Sequence, residues 1–137
     1  MTQAILEHVN ITVGSPERTA AMLEALFGWK ARWRGPSAMG GRTIHVGSGA
    51  HYIAVYTPDE TGAALAHAKG RPLNHVGVEV DDLDATEARA VAFGLKPFNH
   101  DDYAPGRRFY IFDGDGIEWE IVSYADHEKA AGRVVPV

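Results

Sequence analysis

The sequence predicts an α+β fold made of two copies of one βαβββ module. Three observations predict it. The segment His8-Val9-Asn10-Ile11-Thr12-Val13 is repeated in kind at His75-Val76-Gly77-Val78-Glu79-Val80. Each copy is followed by a helix-start pattern. Both helices end in the same punctuation, Phe27-Gly28-Trp29-Lys30 and Phe93-Gly94-Leu95-Lys96. The 137 residues, 45% of them apolar, then read as a single domain, enough for one compact core. Module one covers about 4–58, a linker 59–71, and module two about 72–125.

A histidine followed by apolar residues at period two is a strand with one buried face. The valines and Ile11 point one way. His8, Asn10 and Thr12 point the other, as do His75, Gly77 and Glu79. Ser15 is placed as the N-cap of the first helix, with Pro16 at its first position. Asp81-Asp82-Leu83-Asp84 sets carboxylates at the positive end of the second helix dipole. Ala20, Leu23, Ala25, Leu26 and Phe27 are the expected core face of the first helix. Leu83, Ala88, Val91, Ala92 and Phe93 are that of the second. Gly28 and Gly94 stop the helices by turning left-handed.

Three short strands follow each helix. The first set lies near Lys30–Arg34, Thr43–Val46 and Tyr52–Tyr56, and the second near Lys96–Asn99, Arg108–Phe112 and Trp119–Ser123. Gly35-Pro36, Gly40-Gly41, Gly47-Ser48-Gly49, Pro105-Gly106 and Asp113-Gly114-Asp115-Gly116 separate them. The linker has room for one helical turn at Ala63–Ala68, and the tail from Ala125 for a short helix.

Composition removes several classes of function. A net charge of -5 argues against nucleic acid or anionic membrane as a partner. With no cysteine there are no disulfides, no zinc-thiolate site and no cysteine nucleophile. No apolar run approaches the ~20 residues that span a bilayer. Met1 to Glu7 has neither the basic start nor the apolar stretch of a secretory signal. No glycine-rich phosphate loop is present. The expectation is a soluble cytoplasmic protein acting on a small molecule.

The strand Ile117-Glu118-Trp119-Glu120-Ile121-Val122-Ser123 carries the chemistry. Ile117, Trp119 and Ile121 share one face, and Glu118, Glu120 and Val122 the other. With the apolar face on the helices, both glutamates face away from that core, as do His8 and His75. Two imidazoles and a carboxylate on one open face form the triad suited to a divalent first-row metal, with positions left for substrate. Glu118 is the rival of Glu120 if the strand register differs. A lone strand histidine is more often structural than ligating, and repeat equivalence is what raises His8 and His75 above that. A duplicated βαβββ unit need not carry any site, since fold alone does not give function. Tyr52, Ala54, Tyr56 and Trp33 are candidate pocket residues, with core packing as the competing reading. His45, His51, His67 and His127 read as surface or structural. Arg107-Arg108 either holds an anionic substrate or solvates a strand end.

The repeat, the two strand histidines and the Asp113-Gly114-Asp115-Gly116-x-x-x-Glu120 ending resemble the vicinal oxygen chelate superfamily over roughly Leu6 to Tyr124. That superfamily includes glyoxalase I, extradiol dioxygenases, fosfomycin-resistance thiol transferases and bleomycin-binding proteins. The resemblance implies two paired βαβββ modules forming a cupped mixed sheet around a cavity, with a metal held by His8, His75 and Glu120. It also implies a homodimer in which modules can be exchanged, so that the site is shared between subunits. Glyoxalase I enzymes carry a fourth ligand, a glutamate, at the position of Ala54. Alanine cannot bind metal, so an ordinary lactoylglutathione lyase is disfavoured.

A second likeness leans toward extradiol dioxygenases. His100 precedes Phe109-Tyr110, and Tyr110 stands ten residues before Glu120, as their signature has it. Two departures stand against it: a slightly long stretch after His100, and Gly114 where proline is usual. The resemblance would make His100 a proton donor and Tyr110 a hydrogen-bond donor to a bound phenolate, with Fe(II) or Mn(II) as the metal. The chain has half the modules of most such enzymes. The alternatives are a glyoxalase-like isomerase or lyase, or a thiol transferase, with Zn(II), Ni(II), Co(II) or Mn(II). From another class comes a non-catalytic antibiotic-binding protein of the bleomycin-resistance type, which lacks the triad.

Overall fold

The computed structural model describes residues 4–38, 40–59, 69–103 and 106–125. The elements run β1 (His8–Thr12), α1 (Pro16–Phe27), β2 (Lys30–Pro36), β3 (Arg42–Gly47), β4 (Tyr52–Thr57), β5 (Val76–Glu79), α2 (Leu83–Phe93), β6 (Phe98–Tyr103), β7 (Gly106–Phe112) and β8 (Glu118–Ser123). This is the expected α+β order, βαβββ twice over. The chain divides into two compact units, Met1–Leu65 and Ala66–Val137. The strands form two four-stranded mixed sheets, in the orders β1-β4-β3-β2 and β5-β8-β7-β6. In each, the first strand pairs in parallel with the fourth, and the other neighbours are antiparallel. The turn expected at Ala63–Ala68, the tail helix beyond Ala125, His67 and His127 lie outside the described residues. No helix among the described residues is long and apolar enough to cross a membrane.

The helix ends are fixed locally. Ser15 Oγ accepts from the Arg18 backbone N–H, and Asp82 Oδ1 from that of Ala85. Such caps contribute about 1 kcal/mol each. Gly28 and Gly94 close the helices at φ 71° and 101°, where a side chain would be strained. Helix α1 packs on β2, β3 and β4, and α2 on β7 and β8.

The buried helix faces differ from those expected. In α1 the buried residues are Pro16, Thr19, Met22, Leu23 and Leu26; Ala20, Ala25 and Phe27 are only half-buried. In α2 they are Leu83, Thr86 and Ala90, whereas Ala88, Val91 and Ala92 are exposed and Phe93 half-buried. The sheet beneath α2 supplies bulk, since Trp119, Phe109, Ile111, Ile117 and Ile121 are all buried. A helix seated on such large side chains turns small residues toward them, so Thr86 and Ala90 face inward in place of Val91.

Most strand limits shift by one or two residues, as in β3, β4, β7 and β8, and two differences stand out. β2 runs on through Gly35-Pro36, which were expected to end it. It is an edge strand, so the missing N–H of Pro36 costs no ladder bond on its open side. β6 starts at Phe98 rather than Lys96.

Each module also has a bulge in the strand that follows its helix. In β2 the register shifts between Ala31 and Trp33, and in β6 between Phe98 and Asp101. An extra residue in one strand breaks the alternation of faces. Asn99, inside the second shift, has φ 51°.

Candidate functional site

β8 keeps the partition of faces read from the sequence. Trp119 and Ile121 are fully buried, and Trp119 Nε1 donates to Asp113 Oδ2 at 3.0 Å. Asp113 Oδ1 also accepts from the backbone N–H groups of Asp115 and Ile117, so this one carboxyl ties the β7–β8 turn together. Burial raises its pKa against the lowering effect of those three hydrogen bonds. Glu120 projects to the opposite face, directly across from Tyr110 on β7.

On that face His75 and Glu120 meet. His75 Nε2 is 3.0 Å from Glu120 Oε1. The other ring nitrogen, Nδ1, is 2.7 Å from Oδ1 of Asn74. This contact orients the ring so that Nε2 points toward Glu120. The same device recurs on the first unit. His8 Nδ1 is 2.7 Å from Oε1 of Glu7. Each repeat thus spends the residue before its histidine on orienting the ring.

Glu120 is held on its second oxygen as well, since Arg108 donates to Oε2 at 2.9 Å. Both side chains are largely buried, at 12% and 14% exposure, so this pair is screened far less than a surface one. Arg108 therefore lies against Glu120, within the site. Glu118 is more buried than Glu120. It pairs with Lys69 at 2.9 Å and stands 3.8 Å from His75 Nδ1, the nitrogen already engaged by Asn74. Glu120 faces Nε2 and Glu118 faces Nδ1.

The first unit carries a ladder of rings. His8 and Tyr52, paired across β1 and β4, stack at 4.8 Å and 9°. Tyr52 stacks on His45 at 4.5 Å, and His45 meets Trp33 at 5.0 Å. The β2 bulge makes this possible, because Arg32 and Trp33 are neighbours in sequence yet both reach this face. Arg32 lies over the Tyr52 ring at 4.7 Å, and Trp33 lies against His45. Burial, then the charges of His8 and Arg32, lower the pKa of His45 and favour its neutral ring. Trp33 and His45 line a cavity of about 520 Å³ with Pro36, Ser37, Ala38 and Thr43. Tyr56 instead donates from its hydroxyl to the Gly40 carbonyl, and Ala54 is buried opposite His45.

The pattern of the described residues matches a known family. The family model for the Glyoxalase/Bleomycin resistance protein/Dioxygenase superfamily matches residues 5–121. The chain belongs to this superfamily. A search of curated proteins finds no match. Among solved structures, a glyoxylase/bleomycin resistance protein/dioxygenase domain from Frankia sp. EAN1pec has TM-score 0.77 and 22% identity, covering 89% of this chain and 98% of that one. The fosfomycin resistance protein FosX from Mesorhizobium loti has TM-score 0.67 and 22% identity, with 88% and 91% covered. FosX from Listeria monocytogenes, solved with Mn(II) and sulfate, has TM-score 0.69 and 16% identity, with 89% and 93% covered. At these identities the likeness is one of fold.

For a member of the glyoxalase/dioxygenase superfamily, the residues present fit a divalent metal in part. Two ligands each about 2.1 Å from a metal and at right angles to one another are about 3 Å apart, the spacing of His75 Nε2 and Glu120 Oε1. Among the described residues, no group of three His, Cys, Asp or Glu side chains is gathered in a metal-binding arrangement. His8, the third expected ligand, lies on β1 of the first unit, 43% exposed and with the same Nδ1 clamp.

His100 is placed differently from the dioxygenase reading. Its Nε2 is 2.7 Å from Oε2 of Glu87 on α2, and its ring stacks on buried Phe109. It lies on the helix side of the sheet. Phe98, two residues earlier, stacks with Phe112 and meets Tyr110 at a tilt on the other side. The bulge between them sends His100 across. Tyr110 keeps the expected face, edge-on to His75 at 6.1 Å. Sequence reasoning read His45 as surface or structural and left Arg107-Arg108 between an anion holder and a strand end; Arg108 is the one that reaches Glu120. Period-two alternation from Thr43 to His45 and from Arg108 to Tyr110 put both on the relevant faces and was the available signal.

Proposed function

We propose that this protein is a divalent-metal-dependent enzyme acting on a small molecule through two adjacent oxygens. His75 and Glu120 are the ligands from the second unit and His8 the ligand from the first. The observation that carries this reading is the 3.0 Å approach of His75 Nε2 to Glu120 Oε1, with Nδ1 already occupied by Asn74. When bound, the metal supplies Lewis acidity toward negative charge on the substrate oxygens. Mn(II) or Fe(II) suits the mixed imidazole and carboxylate set, and Zn(II), Ni(II) or Co(II) can also occupy it. The Mn(II) in the Listeria FosX structure supports the first of these.

The chain's own groups do the rest. Asn74 and Glu7 fix the two imidazoles. Arg108 places a positive charge beside Glu120, which favours a substrate carrying a carboxylate, phosphonate or enolate. Tyr110 is the candidate hydrogen-bond donor to a substrate oxygen. This set favours electrophilic activation, as in an isomerase, lyase or thiol transferase. Ala54 stands against a standard lactoylglutathione lyase, since it offers no fourth ligand. Extradiol ring cleavage is the second reading, and it rests on Tyr110 facing Glu120. It draws no support from His100, which Glu87 engages on the helix side. We place the enzyme in the cytoplasm as a homodimer, with His8 of one subunit completing the site of the other.

Metal analysis tests the reading. Purified chain loaded with Mn(II) or Fe(II) should hold one ion per subunit, and His75→Ala should hold none. Equal metal content in both would leave only ligand sequestration of the bleomycin-resistance kind. Oxygen uptake with catechols, set against thiol addition to an epoxide such as fosfomycin, separates the two chemistries.

A further inference from the structure

The cavity beside Trp33 and His45 has no role in the metal reading. Trp33 is 47% exposed. It is nonetheless held in place. A Cβ at Gly35 would lie 2.7 Å from Cζ2 of Trp33, so the indole lies along its own strand over a glycine left open for it. Its other neighbour is His45, across the strand pair. Behind His45 come Tyr52 and His8, each stacked on the next. The rings form a supported row whose last member, Trp33, borders about 520 Å³ of open space. Below it Ser37 Oγ and Thr43 Oγ1 share a hydrogen bond of 2.5 Å, so these two hydroxyls are paired with one another. The row, three rings stacked and Trp33 tilted at 47° against His45, ends at open space and suits one more ring, because aromatic pairs add attraction beyond the area they bury.

We infer that this cavity is a binding subsite for a flat one- or two-ring aromatic group, with Trp33 as its stacking wall and His45 as the polar end. Arg32, brought to the same face by the bulge, makes a neutral or anionic ring system the favoured class and a cationic one unfavourable. The subsite does not need the metal. In a substrate it would receive an aromatic portion remote from the chelating oxygens.

The test is calorimetric titration of the full chain, in EDTA, with 2-naphthol and with its saturated counterpart decahydro-2-naphthol. The flat ring should bind roughly three- to tenfold more tightly, the range that stacking supplies. Trp33→Leu, which keeps apolar bulk, should erase that preference. Gly35→Val, which displaces the indole without removing it, should do the same. Circular dichroism checks that both variants fold. Equal binding of the two probes to the parent chain, or a preference that survives both variants, overturns the subsite. So does self-association that depends on Trp33 without ring binding, which would assign the face to a second copy of the chain. With EDTA present, failure of the metal reading leaves this result untouched.

Discussion

The Nε2 of His75 lies 3.0 Å from Oε1 of Glu120, and each group is held from behind by a different neighbour. Asn74 takes the far nitrogen of the imidazole, and Arg108 the far oxygen of the carboxylate. The near atoms are left facing one another.

Loss of either near atom should abolish metal binding. Glu120→Gln and His75→Ala are each expected to weaken Mn(II) affinity by about 100-fold or more, since a second-sphere change alone costs 10- to 100-fold. Glu118→Gln should stay within about threefold, because its neighbour on His75 is the nitrogen already used by Asn74. Titration calorimetry of the three variants decides between the two glutamates. A larger loss at Glu118 would reverse the assignment.

Asn74→Ala leaves both ligands present and removes only the orientation of one. A fall of roughly tenfold in metal affinity is expected, with an unchanged unfolding midpoint. Asn74→Asp should restore most of the affinity, since it offers the same acceptor. If Asn74→Ala binds like the parent, the clamp has no part in ligation.

Asp113→Ala should be among the most damaging changes in the second unit. It strips an acceptor from two backbone N–H groups and from the Trp119 indole. Leaving buried donors unsatisfied costs about 1–3 kcal/mol per group, so a loss of about 2–4 kcal/mol is expected after partial rescue by water. Asp113→Asn retains one acceptor oxygen and should lose about half as much. Urea unfolding measures both.

Stability should fall on mild acidification, and His45 should carry part of that fall. Burial, then the neighbouring His8 and Arg32, hold its pKa below the ordinary 6.5, while Glu7 acts weakly the other way. The unfolded chain therefore binds the proton more readily than the folded one. His45's contribution is complete above pH 6.5 and is lost as the pH falls from there through the folded value. Urea midpoints at pH 7.5 and 5.5 should drop further for the parent than for His45→Phe, which keeps a ring in the row. Parallel drops would remove His45 as a source.

Much of this was legible in the residues. The two histidine-led strands, the caps at Ser15 and Asp82, the left-handed stops at Gly28 and Gly94, and the opposed faces of Trp119 and Glu120 all follow from local rules. What was not legible depends on non-local geometry. Val91 points outward because the sheet beneath α2 is already filled by Trp119 and Phe109. His100 crosses to α2, and Arg32 joins Trp33, because bulges reset the period-two rule, and a bulge leaves no clear mark in composition. The partners of Arg108 and His45 lie on neighbouring strands, so alternation gives their faces and only register gives their contacts.

The clamps at Glu7-His8 and Asn74-His75 sit within dipeptides. The orienting contact of each imidazole is therefore written in two adjacent letters of the chain and is repeated with the module. The carboxylate is not repeated. Glu120 leans on Arg108 across the sheet, and the first module carries Ala54 at the matching place on its fourth strand. Each module thus brings its own histidine with the means to orient it, and the second alone brings the acid.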